Sequence, residues 1–166
     1  MNKKIAKTNF IFAILFIVFI AIDRITKKFA TNYLMEGDID LIPDILSLHY
    51  LENRGAAWGI FPNALWLFLI ITVIVVGIMV YLYARIPFEK HYLYLRFTII
   101  MLTAGAIGNF IDRAIWHYVV DFIYFKWINF PVFNVADIWV CISAVLLIHC
   151  LLFVYKDEEI IWKKNT

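Results

Sequence analysis

The stretch GAAWGIFPNALWLFLIITVIVVGIMVYLYA, residues 55–84, decides the fold of this chain. It carries no charged side chain, and from Leu65 onward nearly every residue is aliphatic or aromatic. A helix needs about 20 predominantly apolar residues to cross the hydrocarbon core of a bilayer, with a range of about 17 to 25. The stretch therefore predicts a membrane-spanning helix with residues to spare.

Three further segments lack charge, at residues 8–22, 97–111 and 138–155. Over the whole chain 64% of residues are hydrophobic and only 17% are charged, whereas about 25% are charged in soluble domains. The sequence therefore predicts a membrane all-α bundle of four transmembrane helices, at about residues 8–28, 62–84, 93–113 and 137–156. The net charge of +2 gives no indication of a nucleic-acid partner.

The first and third uncharged segments are shorter than a full span. They reach full length if Lys7 and Arg96 extend their charged ends toward the membrane surface. The first segment also has the basic start of a signal peptide, but no small-x-small cleavage site follows it. We therefore expect a retained anchor helix and a single integral membrane domain over residues 1–166.

Lysine and arginine mark three places: the N-terminus, the connection between the second and third spans, and the C-terminus. They are Lys3, Lys4, Lys7, Arg85, Lys90, Arg96, Lys156, Lys163 and Lys164. The other two connections, residues 23–54 and 112–137, hold more acidic than basic residues. Because short basic connections stay in the cytoplasm, we expect both termini inside the cell and the segments 35–55 and 114–136 outside.

The two outer segments have the patterns of β-strands. Residues 45–51 alternate, with Leu46, Leu48 and Tyr50 on one side. Residues 119–125 are β-branched and aromatic. We expect a small extracytoplasmic β platform between the spans, held at the level of the lipid headgroups by Trp116 and Trp127.

On this topology the unusual polar residues fall at the outer ends of the spans. Four separate segments contribute them: Asp23 and Lys27; Asn53, in the segment that continues through Gly55 to Ala57; Asn109, Asp112 and Arg113; Asn134 and Asp137. Structural explanations exist for several of them. Asp23 and Lys27 have the spacing of a helical ion pair, and Asn134 has the position of a helix N-cap. For Asn109, Asp112 and Arg113, a helix-end salt bridge and a functional role both stay open.

Asp121 and Asp137 are harder to explain structurally, because each interrupts an apolar segment at the membrane surface. A lone carboxylate there costs several kcal/mol unless it is paired, hydrated or protonated. Two carboxylates at the same depth suggest a dyad that shares one proton. One could then take a proton from water while the other gives one to a carbonyl oxygen or a leaving amine. This is the chemistry of aspartic proteases.

Five segments in order resemble the lipoprotein signal peptidases, the signal peptidase II family of bacteria. They are Asp23-Arg-Ile-Thr-Lys27, Asn53-Arg-Gly-Ala-Ala-Trp-Gly59, Gly105-Ala-Ile-Gly-Asn-Phe-Ile-Asp-Arg113, Val119-Val-Asp-Phe122 and Phe133-Asn-Val-Ala-Asp137. Each segment alone is a weak signal, whereas five in order with spans between them are specific. Arg24 and Trp58 differ from the family pattern, which has glutamine and phenylalanine there.

The resemblance implies a membrane-embedded aspartic endopeptidase. Its substrate would be a diacylglyceryl-modified prolipoprotein, cut before the lipidated cysteine near the outer surface of the inner membrane. Asp121 and Asp137 would be catalytic, with no metal or cofactor. Substrate backbone and dyad would be held by Asn53, Asn109, Arg113 and Asn134, and the site would be supported by Asp23, Lys27 and Gly55. We expect a monomer.

Two other classes of function compete with this interpretation. Intramembrane carboxylates also serve as proton relays in transporters, but a transporter needs polar groups along a path through the membrane. Here the second and fourth spans are apolar along nearly their full length. A non-catalytic assembly subunit would explain the apolar spans but not two costly aspartates.

Overall fold

The computed structural model describes residues 3–55 and 64–156, and within them four helices are long and apolar enough to cross a membrane. Helix α1 runs over Lys3–Tyr33, α2 over Leu65–Arg85, α3 over Leu93–Trp116 and α4 over Val135–His149. One π-helical turn, Cys150–Val154, extends α4. The predicted bundle of four transmembrane helices is therefore confirmed. The start of the predicted second span, at 62–63, lies outside the described residues.

The connection between α1 and α2 and the connection between α3 and α4 form a three-stranded antiparallel sheet in the order β1-β2-β3, with β1 at Ile39–Ile42, β2 at Leu46–Asn53 and β3 at Val119–Phe125. This confirms the predicted small sheet between the spans, although the sequence patterns indicated only β2 and β3. The first strand has just four residues and is wholly exposed, so no alternation of buried and exposed positions marks it. The last pairs of the β2–β3 ladder join Asn53 to Val119 and Leu51 to Asp121.

Helix α3 lies at the centre and packs against the other three helices. Two glycines on α3 permit this close approach. A Cβ atom added at Gly105 would lie 2.6 Å from the carbonyl oxygen of Ala136 on α4, and one added at Gly108 would lie 2.7 Å from Oδ2 of Asp23 on α1. Both glycines therefore bring the outer ends of α1 and α4 onto α3, where the polar residues are found.

Arg96, near the start of α3, differs from expectation. The sequence predicts that its charged end extends toward the membrane surface, but the side chain is fully buried. It donates hydrogen bonds to the carbonyl oxygens of Ile86 and Pro87 and lies over the rings of Tyr83 and Phe88. The reason is that the end of α2 leaves unpaired carbonyl groups, which the guanidinium satisfies inside the protein.

We predict that Gly105→Ala lowers the melting temperature of the detergent-purified protein, because its Cβ would meet a backbone oxygen that cannot rotate away. Overpacking of this kind costs about 1–3 kcal/mol. Gly77→Ala on α2 is the matched control, since a Cβ there meets nothing within 4 Å. Thermal unfolding followed by tryptophan fluorescence measures both. Equal melting temperatures for the two variants would contradict the predicted close contact.

Candidate active site

Asp137 is held at the start of α4 by a capping box with Asn134. The Asn134 side chain accepts a hydrogen bond from the backbone N–H of Asp137 at 3.0 Å, and Oδ2 of Asp137 accepts one from the backbone N–H of Asn134 at 3.0 Å. The predicted N-cap role of Asn134 is confirmed. The cap orients the Asp137 carboxylate back toward the residues that precede the helix.

Asp121 projects from β3 and is 2% exposed. Its Oδ1 accepts a hydrogen bond from Nδ2 of Asn134 at 2.6 Å, and its Oδ2 accepts one from Nδ2 of Asn53 at 2.8 Å. Asn53 is the last residue of β2, so the pairing of β2 with β3 delivers its amide to the Asp121 carboxylate. Gly55 in turn donates its backbone N–H to Oδ1 of Asn53 at 3.0 Å.

Asn134 joins the two carboxylates, because its side chain donates to Asp121 while its backbone donates to Asp137. Asn109 on α3 closes the network. Its Nδ2 donates to Oδ1 of Asp137 at 2.7 Å, and its Oδ1 accepts from Nδ2 of Asn134 at 3.1 Å. Every oxygen of the two carboxylates thus accepts one hydrogen bond, and each keeps a second lone pair for a proton or a water molecule.

A buried ionic cluster of Asp23, Arg24, Lys27 and Asp112 lies behind this network. Nζ of Lys27 lies 3.1 Å from Oδ1 of Asp23, 2.9 Å from Oδ2 of Asp112 and 2.8 Å from Oδ1 of Asn109. Arg24 completes the cluster, with Nη1 at 2.5 Å from Asp112 and Nη2 at 2.9 Å from Asp23. Two cations balance two carboxylates, so the cluster is formally neutral.

Lys27 also determines which way the Asn109 amide faces. An ammonium group can only donate hydrogen bonds, so the Asn109 oxygen must point to Lys27 and its NH₂ group must point to Asp137. The three protons of Lys27 are matched by its three acceptors. The predicted ion pair between Asp23 and Lys27 is present, and its cation reaches the carboxylates through Asn109.

The environment of Asp121 favours its neutral form. Burial raises the pKa of the Asp121 carboxyl to about 7, and the negative charge of Asp137 contributes to the increase. Hydrogen bonds from Asn53 and Asn134, together with the charge of Lys27, oppose it. A carboxyl group whose pKa lies near neutrality can both hold and release a proton under physiological conditions.

Arg113 lies beside the network without bonding to either carboxylate. Its Nη2 donates to the carbonyl oxygen of Gly55 at 3.4 Å, and its guanidinium lies 4.9 Å from the centre of the Phe68 ring. Its charge nevertheless interacts with both Asp121 and Asp137. The guanidinium therefore has N–H groups left for another partner.

The structure brings together the nine site residues that the family resemblance implies. The salt bridge left open within α3, between Asp112 and Arg113, is not what forms. Asp112 pairs with Arg24 and Lys27 of α1. In the sequence, Arg24 is notable only as a departure from the family pattern. Its partner Asp112 lies 88 positions away along the chain, so no local pattern indicates that the two residues pair. Among the described residues, no group of three His, Cys, Asp or Glu side chains could hold a metal ion.

We predict that Lys27→Met strongly destabilises the protein, because Asp23 and Asp112 would then share the single cation Arg24. Removing one partner of a buried ion pair costs about 3–5 kcal/mol. The double variant Lys27→Met/Asp112→Asn restores the charge balance and should recover part of the lost melting temperature. The neighbouring exposed lysine supplies the control: Lys28→Met should change stability by less than about 0.5 kcal/mol. A single variant as stable as the control would refute a structural role for the cluster.

Comparison with known proteins agrees with this architecture. The sequence profile of the family described as Signal peptidase (SPase) II matches residues 15–153. The chain is 35% identical over 150 residues to a lipoprotein signal peptidase of Streptococcus pyogenes serotype M5 (strain Manfredo), which covers 90% of this chain and 95% of that protein. A lipoprotein signal peptidase of serotype M3 (strain SSI-1) is 34% identical over the same length and coverage.

Two solved structures of a bacterial membrane enzyme, determined by the in meso method, share the fold. The one at 2.3 Å resolution has a TM-score of 0.74 and 34% identity, covering 93% of this chain and 92% of that chain. The one at 1.9 Å resolution has a TM-score of 0.72 and 35% identity, covering 87% and 94%. A profile match over most of the chain, relatives of this identity and a shared fold agree: the chain belongs to the signal peptidase II family, and it is an integral membrane hydrolase of the aspartic type.

Proposed function

We propose that this chain removes the signal peptide from diacylglyceryl-modified prolipoproteins by cutting before the lipidated cysteine, and that Asp121 and Asp137 form its catalytic dyad. The observation that carries the assignment is the double role of Asn134, which donates to both carboxylates and holds them in one network. Residues 1–166 would then form a single membrane peptidase domain.

The dyad would work with one proton shared between two carboxyl groups. The ionised member accepts a proton from water, and the hydroxide equivalent attacks the carbonyl carbon of the peptide bond. The protonated member donates its proton to the carbonyl oxygen as the tetrahedral intermediate forms. When the intermediate collapses, the C–N bond breaks and the amine takes up the proton that the first carboxylate had accepted from water. A hydroxyl group of the intermediate returns its proton to the other carboxylate, so the dyad again holds one proton and one water is consumed for each peptide bond. A coupled pair titrates as a unit, so the proton belongs to both groups.

The surrounding residues divide into two roles under this proposal. Asn53, Asn109 and Asn134 use their amide N–H groups on the two carboxylates, which suits residues that position the dyad. Arg113 keeps N–H groups available and would hold a carbonyl group of the substrate backbone. Asp23, Lys27 and Gly55 support the site through the ionic cluster and through the bond from Gly55 to Asn53.

The depth of the site suits a lipid-linked peptide. The carboxylates lie near the start of β3 and in the first turn of α4, at the end of the helices that the charge pattern places outside the cytoplasm. The acyl chains of the substrate would remain in the hydrocarbon while the peptide bond beside the cysteine reaches the level of the headgroups. We therefore also propose that both termini face the cytoplasm and that the site lies near the outer leaflet; an external signal from a reporter fused after Lys164 would contradict this orientation.

A transport function receives no support from the buried polar groups deeper in the helices. Thr98, Thr103 and Ser143 are buried, but each hydroxyl donates to a carbonyl oxygen of its own helix. Such hydroxyls satisfy themselves locally and do not form a relay between the two ends of the bundle. Proton-coupled flux in liposomes without peptide cleavage would nevertheless establish the transport alternative.

We predict that Asp121→Asn and Asp137→Asn each reduce cleavage of a diacylglyceryl-modified prolipoprotein by at least about 10³-fold, because an amide can neither accept the proton of water nor share one. The assay uses purified protein in detergent, with melting temperatures to confirm folding. Asp44→Asn is the matched control, since Asp44 is an exposed carboxylate of the same platform. Retained cleavage by both dyad variants would exclude the assignment.

We predict a pH profile of kcat/KM that falls above about pH 7, where the shared proton is lost. The pKa of Asp121 is raised to about 7, and the hydrogen bond from Asn53 lowers it. Because Asn53→Ala removes a bond that favours the ionised form, the pKa of Asp121 should rise further and the alkaline limb should move to higher pH. Asn9→Ala, at the opposite end of α1, should leave the limb in place. A shift to lower pH in Asn53→Ala would contradict the proposed titration.

A further inference from the structure

A cavity lies against the ionic cluster, and Arg24, Lys27 and Asp112 of the cluster line it. It has a volume of about 350 Å³ and lies between the outer turns of α1, the last turn of α3 and the residues that lead into β3. Arg24, Lys28, Trp116 and Tyr118 contribute to its wall. Neither dyad aspartate lines it, and none of the three asparagines that bond to them does. The cavity is therefore separate from the candidate active site.

The cavity has an excess of positive charge. Arg24 and Lys27 are balanced by Asp23 and Asp112, but Lys28 is exposed and forms no ion pair with any described residue. Arg24 uses four hydrogen bonds from its side chain out of the five N–H groups of a guanidinium. One cation and one further N–H group are thus available to an anion.

Three of the polar residues that line this cavity form a stripe on α1. Arg24, Lys28 and Asn32 follow one another at intervals of four residues, so they lie on one face of the helix. Trp116 of α3 stands beside this stripe and is 57% exposed. A stripe of basic and amide groups flanked by an exposed tryptophan is typical of surfaces at the membrane–water boundary.

The depth of Lys28 can be estimated from the length of α1. Lys7 is the last charged residue before the apolar run of this helix, and residues 8–27 separate it from Lys28. At a rise of about 1.5 Å per residue, this interval spans about 30 Å, which is the thickness of the hydrocarbon core. With Lys7 at one boundary, Lys28 therefore lies at the other, at the level of the phosphate groups of the outer leaflet.

We propose that this cavity binds the phosphate group of an anionic phospholipid of the outer leaflet. Lys28 and the remaining N–H group of Arg24 would donate to the phosphate oxygens, and Asn32 would contribute its amide at the rim. The acyl chains would then lie along the apolar surface of α1 that precedes Lys28, where Ile22 is 38% exposed and Ile25 is 68% exposed. The chemistry recognised is that of a phosphodiester with a net negative charge, joined to two acyl chains.

The test measures lipid binding to the full-length protein in a neutral detergent by native mass spectrometry. Phosphatidylglycerol is the probe, and diacylglycerol with the same acyl chains is the matched lipid without phosphate. We expect one saturable phosphatidylglycerol molecule and at least about tenfold weaker retention of diacylglycerol. Lys28→Gln should weaken phosphatidylglycerol binding about fivefold, since one cation near an anionic lipid is worth about 1 kcal/mol, and Lys28→Arg should retain it.

Lys126→Gln is the control variant, because Lys126 is paired with Asp40 and does not line the cavity. An equal loss of binding in Lys126→Gln and Lys28→Gln would overturn the proposal, since it would indicate a general effect of charge. Equal binding of diacylglycerol and phosphatidylglycerol would also overturn it. Inorganic phosphate is the probe for a free anion, because it has no acyl chains. If it displaced phosphatidylglycerol at equal concentration, the site would belong to a free anion and not to a phospholipid. The outcome is independent of the catalytic assignment, because no dyad residue is changed.

Discussion

The ammonium group of Lys27 makes the contacts on which the end of the bundle beside the sheet depends. It is 3% exposed and meets a carboxylate of α1, a carboxylate of α3 and the amide oxygen of Asn109. A charge in such surroundings is stable only when its partners are complete. The match of three donors to three acceptors satisfies this condition, and it also joins two helices that are distant in sequence.

The same cluster sets the geometry of the two carboxylates. Asp23 accepts a hydrogen bond from the backbone N–H of Ala136 at 3.2 Å, which fixes the first turn of α4 and therefore Asp137. Asp112 lies 3.4 Å from the backbone nitrogen of Val120, directly before Asp121. Lys27 also orients the side-chain amide of Asn109, so that its NH₂ group faces Asp137. Each carboxylate of the cluster thus anchors the backbone next to one carboxylate of the dyad, so a neutral ionic core positions a titratable pair.

The sequence predicted those parts of the structure that follow from local patterns. Asn134 and Asp137 are three residues apart, and this spacing belongs to a helix cap. Strands β2 and β3 show alternation or β-branched composition, and the four spans show uncharged length. What could not be predicted depends on tertiary contacts. Arg24 reaches Asp112 only because Gly108 lets α1 approach α3, and Arg96 is buried because carbonyl groups at the end of α2 need donors. The bonds from Asn53 and Asn134 to Asp121 depend on the register of two strands, which alternation alone leaves open.

The neutrality of the ionic cluster has a further physical consequence. A neutral set of four charges has a weak field at a distance, so it can be buried at a depth where a single charge would be expelled. Its two sides nevertheless differ. On one side Lys27 contacts Asn109, which in turn donates a hydrogen bond to Asp137. A change in the charge of Lys27 would therefore alter the titration of the Asp137 carboxyl. On the other side Arg24 faces a cavity with the unpaired Lys28. The cluster thus separates the network of Asp121 and Asp137 from the basic surface formed by Arg24 and Lys28, and its neutrality permits both to lie beside it.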